Sequence, residues 1–418
     1  MKSCMKIVFL AIITTAIMAT LPLSAFAADA PEKVKVGLMF GLTGAASPVG
    51  PVQLDGAKLA IKEINAEGGL VWGNSKVPVD YVVKDDETKP DVAIRRFREL
   101  RNIENVHVIV GQTFASITGA LNKQVKRNPI AYFPVNVVAL GMFAKEEMAP
   151  TTFAVHGCAY SAGYGSANYI INELDKKKVV FFGPAYAFGQ DQWKGAKAAF
   201  DKAGVEPEYL ESPVGTSDFT SYLTKIMEMN PDVVMLAHWG TDAINVLKQA
   251  YEVGLKDKTT IWFNWMTNVF GSGVPAEAMD GVYSLMSWYY DLSGFKDKEI
   301  VSQAEEFSEK FQKEYGYPPD PYSAMAYIGT KEALRGLSLA ETSDPEKIAE
   351  AVMENPTFDS MKGKGTWRID HQPIFKYNAF VVKGKGPDER QGKWDLVKII
   401  DAYTGEDYLP SLKMLGYE

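Results

Sequence analysis

The stretch Val106–Leu121, VHVIVGQTFASITGAL, constrains the fold more than any other part of the chain. Val106 to Val110 is a short unbroken apolar run, the pattern of a buried strand. Gly111 turns the chain, Gln112-Thr113-Phe114-Ala115-Ser116 follows, and a helical pattern continues through Leu121 and Val125. A helix that starts there collects free backbone N–H groups and its positive end in one place. Such a place suits an anion, for example a ligand carboxylate. Thr113 and Ser116 could equally cap a purely structural helix.

The same alternation runs on both sides of this stretch. Val34–Phe40, Val77–Val83 and Ile130–Val135 read as strands. Leu54, Ala57, Ala60, Ile61 and Ile64 share one helical face, and Val92–Ile103 reads as another helix. A second series begins after Thr152. Its strands are Lys178–Phe182, Asp232–Ala237, Thr260–Phe263 and Gly281–Trp288, with helices over Gln192–Ala203, Phe219–Met229 and up to Val253. Helices over Ile300–Tyr315, Tyr322–Leu337 and Pro345–Glu354 come next. Phe375–Val382 and Trp394–Ile400 then read as a hairpin. Alternating strands and helices mean an α/β fold with doubly wound parallel sheets. Glycine and proline sit at element ends rather than in one long linker, which fits two lobes joined by several short crossings.

The chain opens with Lys2 and Lys6, an apolar run from Ile7 to Leu21, and Ala25-Phe26-Ala27. This is the pattern of a signal peptide over residues 1–27, cut after Ala27. Cleavage removes Cys4 and leaves Cys158 alone, so no internal disulfide is possible; Cys158 reads as a small buried hydrophobe. Removing 27 of 418 residues leaves 391, enough for two full cores. The net charge of −8 becomes about −10 on cleavage and is scattered, which excludes a nucleic-acid binder.

Enzyme signatures are missing. Neither Gly-x-Ser-x-Gly nor a P-loop occurs. Gly271-Ser272-Gly273 approaches a dinucleotide-binding pattern, but it contains Pro275 and opens no clear helix. His156 and Cys158 are close in sequence, yet two ligands make no zinc site; no metal and no cofactor is expected. Asp85-Asp86-Glu87 reads as an acidic turn and His107 as a structural histidine. His238, beside Trp239 at the end of a strand, is a candidate donor to a ligand oxygen, or a plain surface or core histidine.

Three features carry a resemblance. The first is Val34–Phe40 followed by Gly41-Leu42-Thr43-Gly44. The second is Gly56-Ala57, Leu59-Ala60, Ile64-Asn65 and Gly68-Gly69 in one helix and its cap. The third is Leu247-Lys248-Gln249-Ala250 with Val253-Gly254-Leu255. With them the chain resembles the periplasmic solute-binding proteins of ABC importers, type I fold, leucine/isoleucine/valine-binding branch. The resemblance implies two lobes, 28–153 plus 285–378 and 154–284 plus 379–418. Three hinge crossings would lie near Thr152–Ala154, Gly281–Leu285 and Ala379–Lys383. It further implies a monomer in the periplasm, without enzyme activity, that closes over a small-molecule ligand and docks on an ABC permease in the inner membrane. A ligand-sensing partner of a receptor would share this fold. A secreted α/β hydrolase is the rival enzyme class.

The family's ligand contacts carry over unevenly. The Ser that holds a ligand carboxylate is replaced by Ala115, with Ser116 beside it. The next contact loop maps to Asn136-Val137-Val138, where Val138 replaces a Thr. Two second-lobe aromatics map to Phe188, which lacks a phenol hydroxyl, and near Trp239. The acid that grips a ligand ammonium maps to Trp265, and no Asp or Glu lies between Lys258 and Ala276. The first-loop Trp maps to Val49, and Thr88 and Phe114 stand where the family has its first-lobe disulfide. A buried ammonium without an acid is costly. The expected pocket is therefore aromatic, with Tyr160, Tyr186, Phe188, Trp239 and Trp265 around it and Trp262 in the core. It would take a small carboxylate or another flat or apolar solute; a cage for a quaternary ammonium is a variant. Asp242 and Glu87 are the acids left for an ammonium.

Overall fold

The computed structural model describes residues 30–418, and the leader expected over residues 1–27 lies outside the described residues. β1 (Val34–Phe40) leads through α1 (Gly50–Ala66) and a small hairpin, β2 (Leu70–Trp72) and β3 (Ser75–Val77), to β4 (Val79–Asp85). Next come α2 (Pro90–Asn102), β5 (Val108–Gly111), α3 (Ala115–Arg127) and β6 (Ala131–Pro134). These strands form one parallel sheet in the order β4-β1-β5-β6. The single strand expected over Val77–Val83 is two strands. Pro78 has no N–H to give a ladder, so Val77 ends the hairpin and Val79 begins β4.

The second sheet starts after α4 (Ala159–Asn172). Its chain order is β7 (Val179–Pro184), α5 (Ala187–Ala203), β8 (Glu208–Ser212), α6 (Thr220–Met229), β9 (Val233–Leu236), α7 (Thr241–Glu252) and β10 (Thr260–Phe263). Two single-turn helices, α8 (Asn268–Gly271) and α9 (Ala276–Met279), precede β11 (Tyr283–Met286). Then follow α10 (Lys298–Tyr315), α11 (Pro321–Ala340) and α12 (Pro345–Glu354), which return to the first sheet: α11 packs on α1, β5 and β6. β12 (Thr357–Phe358), β13 (Gly365–Trp367) and β14 (Pro373–Phe375) form a small antiparallel sheet. β15 (Ala379–Gly384) and β16 (Val397–Tyr403) add to the second sheet antiparallel, giving the order β16-β15-β11-β10-β9-β7-β8.

The sheet edges shift the crossings. Thr152–Ala154 still runs along β6, with Phe153 N on Tyr132 O and Val155 N on Pro134 O, both at 2.9 Å. The chain leaves the first sheet only after Cys158, where α4 begins. Tyr283–Met286 and Ala379–Gly384 are strands of the second sheet, so those crossings fall after Met286 and before Ala379. Phe375 belongs to the small sheet and not to the closing hairpin. Strands of two or three residues carry no readable alternation, which is why that sheet is silent in the sequence.

Two helix pairs are set by glycine. A Cβ on Gly56 of α1 would stand 2.1 Å from the Ser323 carbonyl oxygen of α11. In the pair α4 and α5 the contact is reciprocal. A Cβ on Gly163 would lie 1.8 Å from Gln192 O, and one on Gly195 2.0 Å from Tyr160 O. Backbone meets backbone there, with no side chain able to yield. Gly163→Ala is expected to push the helices apart and cost about 1–3 kcal/mol, read as a lower denaturant midpoint with unchanged slope.

Candidate functional site

The ends of β5, β6, β7 and β9 converge on one cavity. Thr113, Phe114, Ala115, Asn136, Val137, Tyr186, Phe188 and Trp239 line it and close in on only about 10 Å³ of free space. Ligands of open α/β sheets bind at such carboxyl ends of strands. A larger hollow of about 590 Å³ lies at the opposite end of the second sheet, around Asp232, Thr260 and Tyr283, where those strands begin.

Aromatic rings from both sheets close the cavity. Phe114, from the first, stacks on Tyr186, from the second, at 5.8 Å and 3° between planes. Trp239 meets Phe114 edge-on at 5.5 Å, and Phe188 stacks on Tyr186 at 6.0 Å. Trp239 Nε1 donates to the Tyr322 hydroxyl at the start of α11, 2.7 Å away, which joins the second sheet to the first. Burial, with the charge of Asp242, holds the Tyr186 phenol neutral far above its usual range.

The polar wall belongs to the first sheet. Thr113 Oγ1 accepts from Gly41 N at 3.1 Å and donates to Gln53 Oε1 at 2.7 Å, so its hydroxyl is already committed. Asn136 donates to Thr113 O and accepts from Val137 N. Helix α3 begins at Ala115 without a side-chain cap. Its first backbone bonds run from Ile117 N and Thr118 N to Phe114 O, which leaves the N–H groups of Ala115 and Ser116 to the cavity end of the helix. This is an anion-binding arrangement made of backbone alone.

Of the residues singled out in the sequence, Thr113, Ala115, Asn136, Tyr186, Phe188 and Trp239 line the cavity. The others fall elsewhere. The Ser116 side chain is exposed, on the outer face of the first helical turn. Val138 pairs with Cys158 and is buried among Leu140, Phe143 and Tyr160; its neighbour Val137 takes the place on the lining. Tyr160 stacks on Tyr164 at 6.1 Å within that same cluster. His238 is a core residue, correcting its reading as a ligand donor. Its Nε2 sits 3.0 Å from Ser212 Oγ, Phe182 and Phe219 flank the ring, and burial pushes it down to about 3. Trp262 is fully buried against Tyr169 and Tyr283. Trp265 faces His156, with ring centroids 5.2 Å apart.

Neither spare acid lines the cavity. Asp242, in the first turn of α7, accepts from Gly215 N at 2.8 Å. Glu87 pairs with Lys89 at 3.3 Å. Asp85 is spent on the first loop, accepting from Leu42 N and Thr43 N. Phe114 also lines the cavity, Tyr322 bonds Trp239 behind it, and His156 packs on Trp265; none of the three was singled out in the sequence as a ligand contact. Phe114 lay within the opening stretch, whereas Tyr322 and His156 meet Trp239 and Trp265 only through tertiary packing.

The sequence profile of the family described as "Periplasmic binding protein" matches residues 33–387. The chain belongs to this family. Among relatives of this periplasmic binding protein is the Leu/Ile/Val-binding protein homolog 7 of Brucella abortus (strain 2308). It is 24% identical over 347 residues, spanning 79% of this chain and 83% of that one. An amino acid ABC transporter substrate-binding protein from Pseudomonas fluorescens Pf-5 has the same fold. Its TM-score is 0.81 and its identity 23%, covering 93% of this chain and 99% of that one. A solute binding protein of an ABC transporter from R. palustris, solved with benzoate, superposes with a TM-score of 0.74 at 20% identity, covering 90% and 98%.

Proposed function

We propose that this protein is the substrate-binding component of an ABC importer and takes a small carboxylate solute with an aromatic or branched apolar body. It captures the solute between its lobes in the periplasm and delivers it to an inner-membrane permease. One observation carries the choice of solute. The cavity offers uncapped backbone N–H groups at α3 and a wall of aromatic rings, and its lining contains no Asp or Glu. A carboxylate finds its donors there, and an α-ammonium finds no counter-charge. Tyr186 and Trp239 of the second sheet meet Phe114 of the first, so a solute that extends these contacts favours closure. The relative solved with benzoate supports a carboxylate without an ammonium, and the Leu/Ile/Val-binding protein homolog supports only the branched apolar body.

The test is a thermal-shift screen of protein refolded to strip bound solute. The panel holds branched-chain amino acids, aliphatic and aromatic carboxylates, quaternary amines and short amides. A solute at about 100 times its dissociation constant adds roughly 2.7 kcal/mol of stability. Carboxylates without an amino group are expected to shift the melt. A shift confined to amino acids or to quaternary amines overturns the reading.

A further inference from the structure

His156 and Trp265 meet across the cleft. His156 ends the segment that runs along β6 of the first sheet, and Trp265 follows β10 of the second. Their rings are 5.2 Å apart and inclined at 63°. Tyr322 of α11 closes a third side, with its ring 6.1 Å from the imidazole. Trp265 is 5% exposed, and its Nε1 has no partner within the protein. Both ring nitrogens of His156 are buried and equally without partners. The Tyr322 hydroxyl accepts from Trp239 and donates to no described residue.

Donors outnumber acceptors in this group. An indole N–H can only donate, and a phenol already accepting a hydrogen bond has its proton left to give. Burial and the charge of Lys362 push His156 down to about 3, so the ring is neutral and offers one N–H. The nearest acid in sequence, Asp320, is used up by Tyr322 N and Val269 N at 2.9 and 3.0 Å. Three donors, from Trp265, Tyr322 and one nitrogen of His156, thus gather around a single acceptor, the bare nitrogen of the neutral imidazole, and donors are in excess. Buried donors left unpaired cost free energy, and an oxygen placed among them removes that cost.

We propose that Trp265 Nε1, His156 and Tyr322 form a second polar subsite, which binds a carbonyl or carboxylate oxygen at the end of the solute away from its α3-bound carboxylate. The inference rests on the carboxylate reading above and narrows it to keto acids, dicarboxylates and their aromatic counterparts. Trp265 is the specificity residue of this subsite, donating to an oxygen at the position where an ammonium-binding acid was expected.

Two shape-matched pairs test it by titration calorimetry on the refolded full chain. They are 4-oxopentanoate against 4-methylpentanoate, and 4-acetylbenzoate against 4-isopropylbenzoate. In at least one pair the keto member is expected to bind about tenfold or more tightly, because a site built to donate rejects an analogue lacking the acceptor. Trp265→Phe keeps the ring, removes the donor and is expected to erase that preference; a melting curve confirms that it folds. Equal binding within both pairs, or a preference that survives in Trp265→Phe, overturns the subsite and leaves the carboxylate reading standing. Binding of leucine with none of the four acids overturns both. Binding of none of the acids and no amino acid overturns the subsite.

Discussion

Lys362→Met raises the stability of the protein by about 3 kcal/mol at pH 7, and the gain shrinks to near zero by about pH 10.5. Lys362 lies in the turn before β13, 1% exposed. Its Nζ donates to Asn378 O at 2.9 Å and rests 4.4 Å over the Phe375 ring. No ion pair with a described carboxylate compensates its charge. Burial pushes the ammonium down to about 7 from its ordinary 10.5. The unfolded chain therefore holds more protons than the folded one between these values, and stability rises with pH across that window. Methionine has similar length and no charge to bury, so it removes the cost and flattens the pH dependence. It gives up one hydrogen bond to a carbonyl and one cation–π contact, worth about 1 kcal/mol each. Urea titrations of both proteins at pH 7 and pH 10 measure the difference. A destabilised variant would mean that the ammonium has a stabilising partner.

Trp239→Ala weakens solute binding by roughly 30- to 1000-fold, the cost of about 2–4 kcal/mol for truncating a central aromatic anchor. The indole does two things at once. Its ring covers Phe114 edge-on, and its Nε1 ties the second sheet to Tyr322 on α11. Truncation removes apolar cover from the cavity and one bond that exists only with the lobes together, so the open form gains population. Trp239→Phe retains a ring without the N–H and should lose only about tenfold. Titration calorimetry with 4-methylpentanoate ranks the three proteins. Scattering from the solute-free proteins should show a larger radius of gyration for the alanine variant. Wild-type affinity in Trp239→Ala would place the solute elsewhere.

Much of the architecture is legible in the sequence because its signals are local. Unbroken apolar runs such as Val108–Gly111 mark strands buried on both faces, and the glycine of Gly56-Ala57 marks a helix pressed against another. The closing hairpin was visible as two β-rich runs around a polar loop. The first-sheet half of the cavity was legible for the same reason. Thr113, Ala115 and Asn136 follow directly on strands, and the end of a parallel strand is a ligand position in any sheet of this kind.

The second half was harder to read. Tyr160 and Phe188 are both aromatic and both near the start of a helix, yet only Phe188 reaches the cavity. Tyr160 turns instead into the cluster with Val138 and Cys158. His238 stands beside Trp239, but successive residues at a strand end point to opposite faces. Trp239 enters the cleft and His238 enters the core, where Ser212 meets its Nε2 and its Nδ1 is left without a partner. His156 and Tyr322 had no local mark that tied them to Trp265 or Trp239. Their positions depend on the crossing that follows β6 and on the capping of α11 by Asp320, which fixes where the first turn of that helix points.

The most direct measurement is titration calorimetry of refolded protein with leucine and with 4-methylpentanoate, the same skeleton without the amino group. The aromatic pair, phenylalanine and 3-phenylpropanoate, repeats the comparison. A cleft with backbone donors at α3 and no lining acid predicts that each deaminated acid binds more tightly than its amino acid, by about tenfold or more. Tighter binding of leucine or phenylalanine would contradict that account and place a carboxylate, with Asp242 the nearest candidate, against the ligand ammonium.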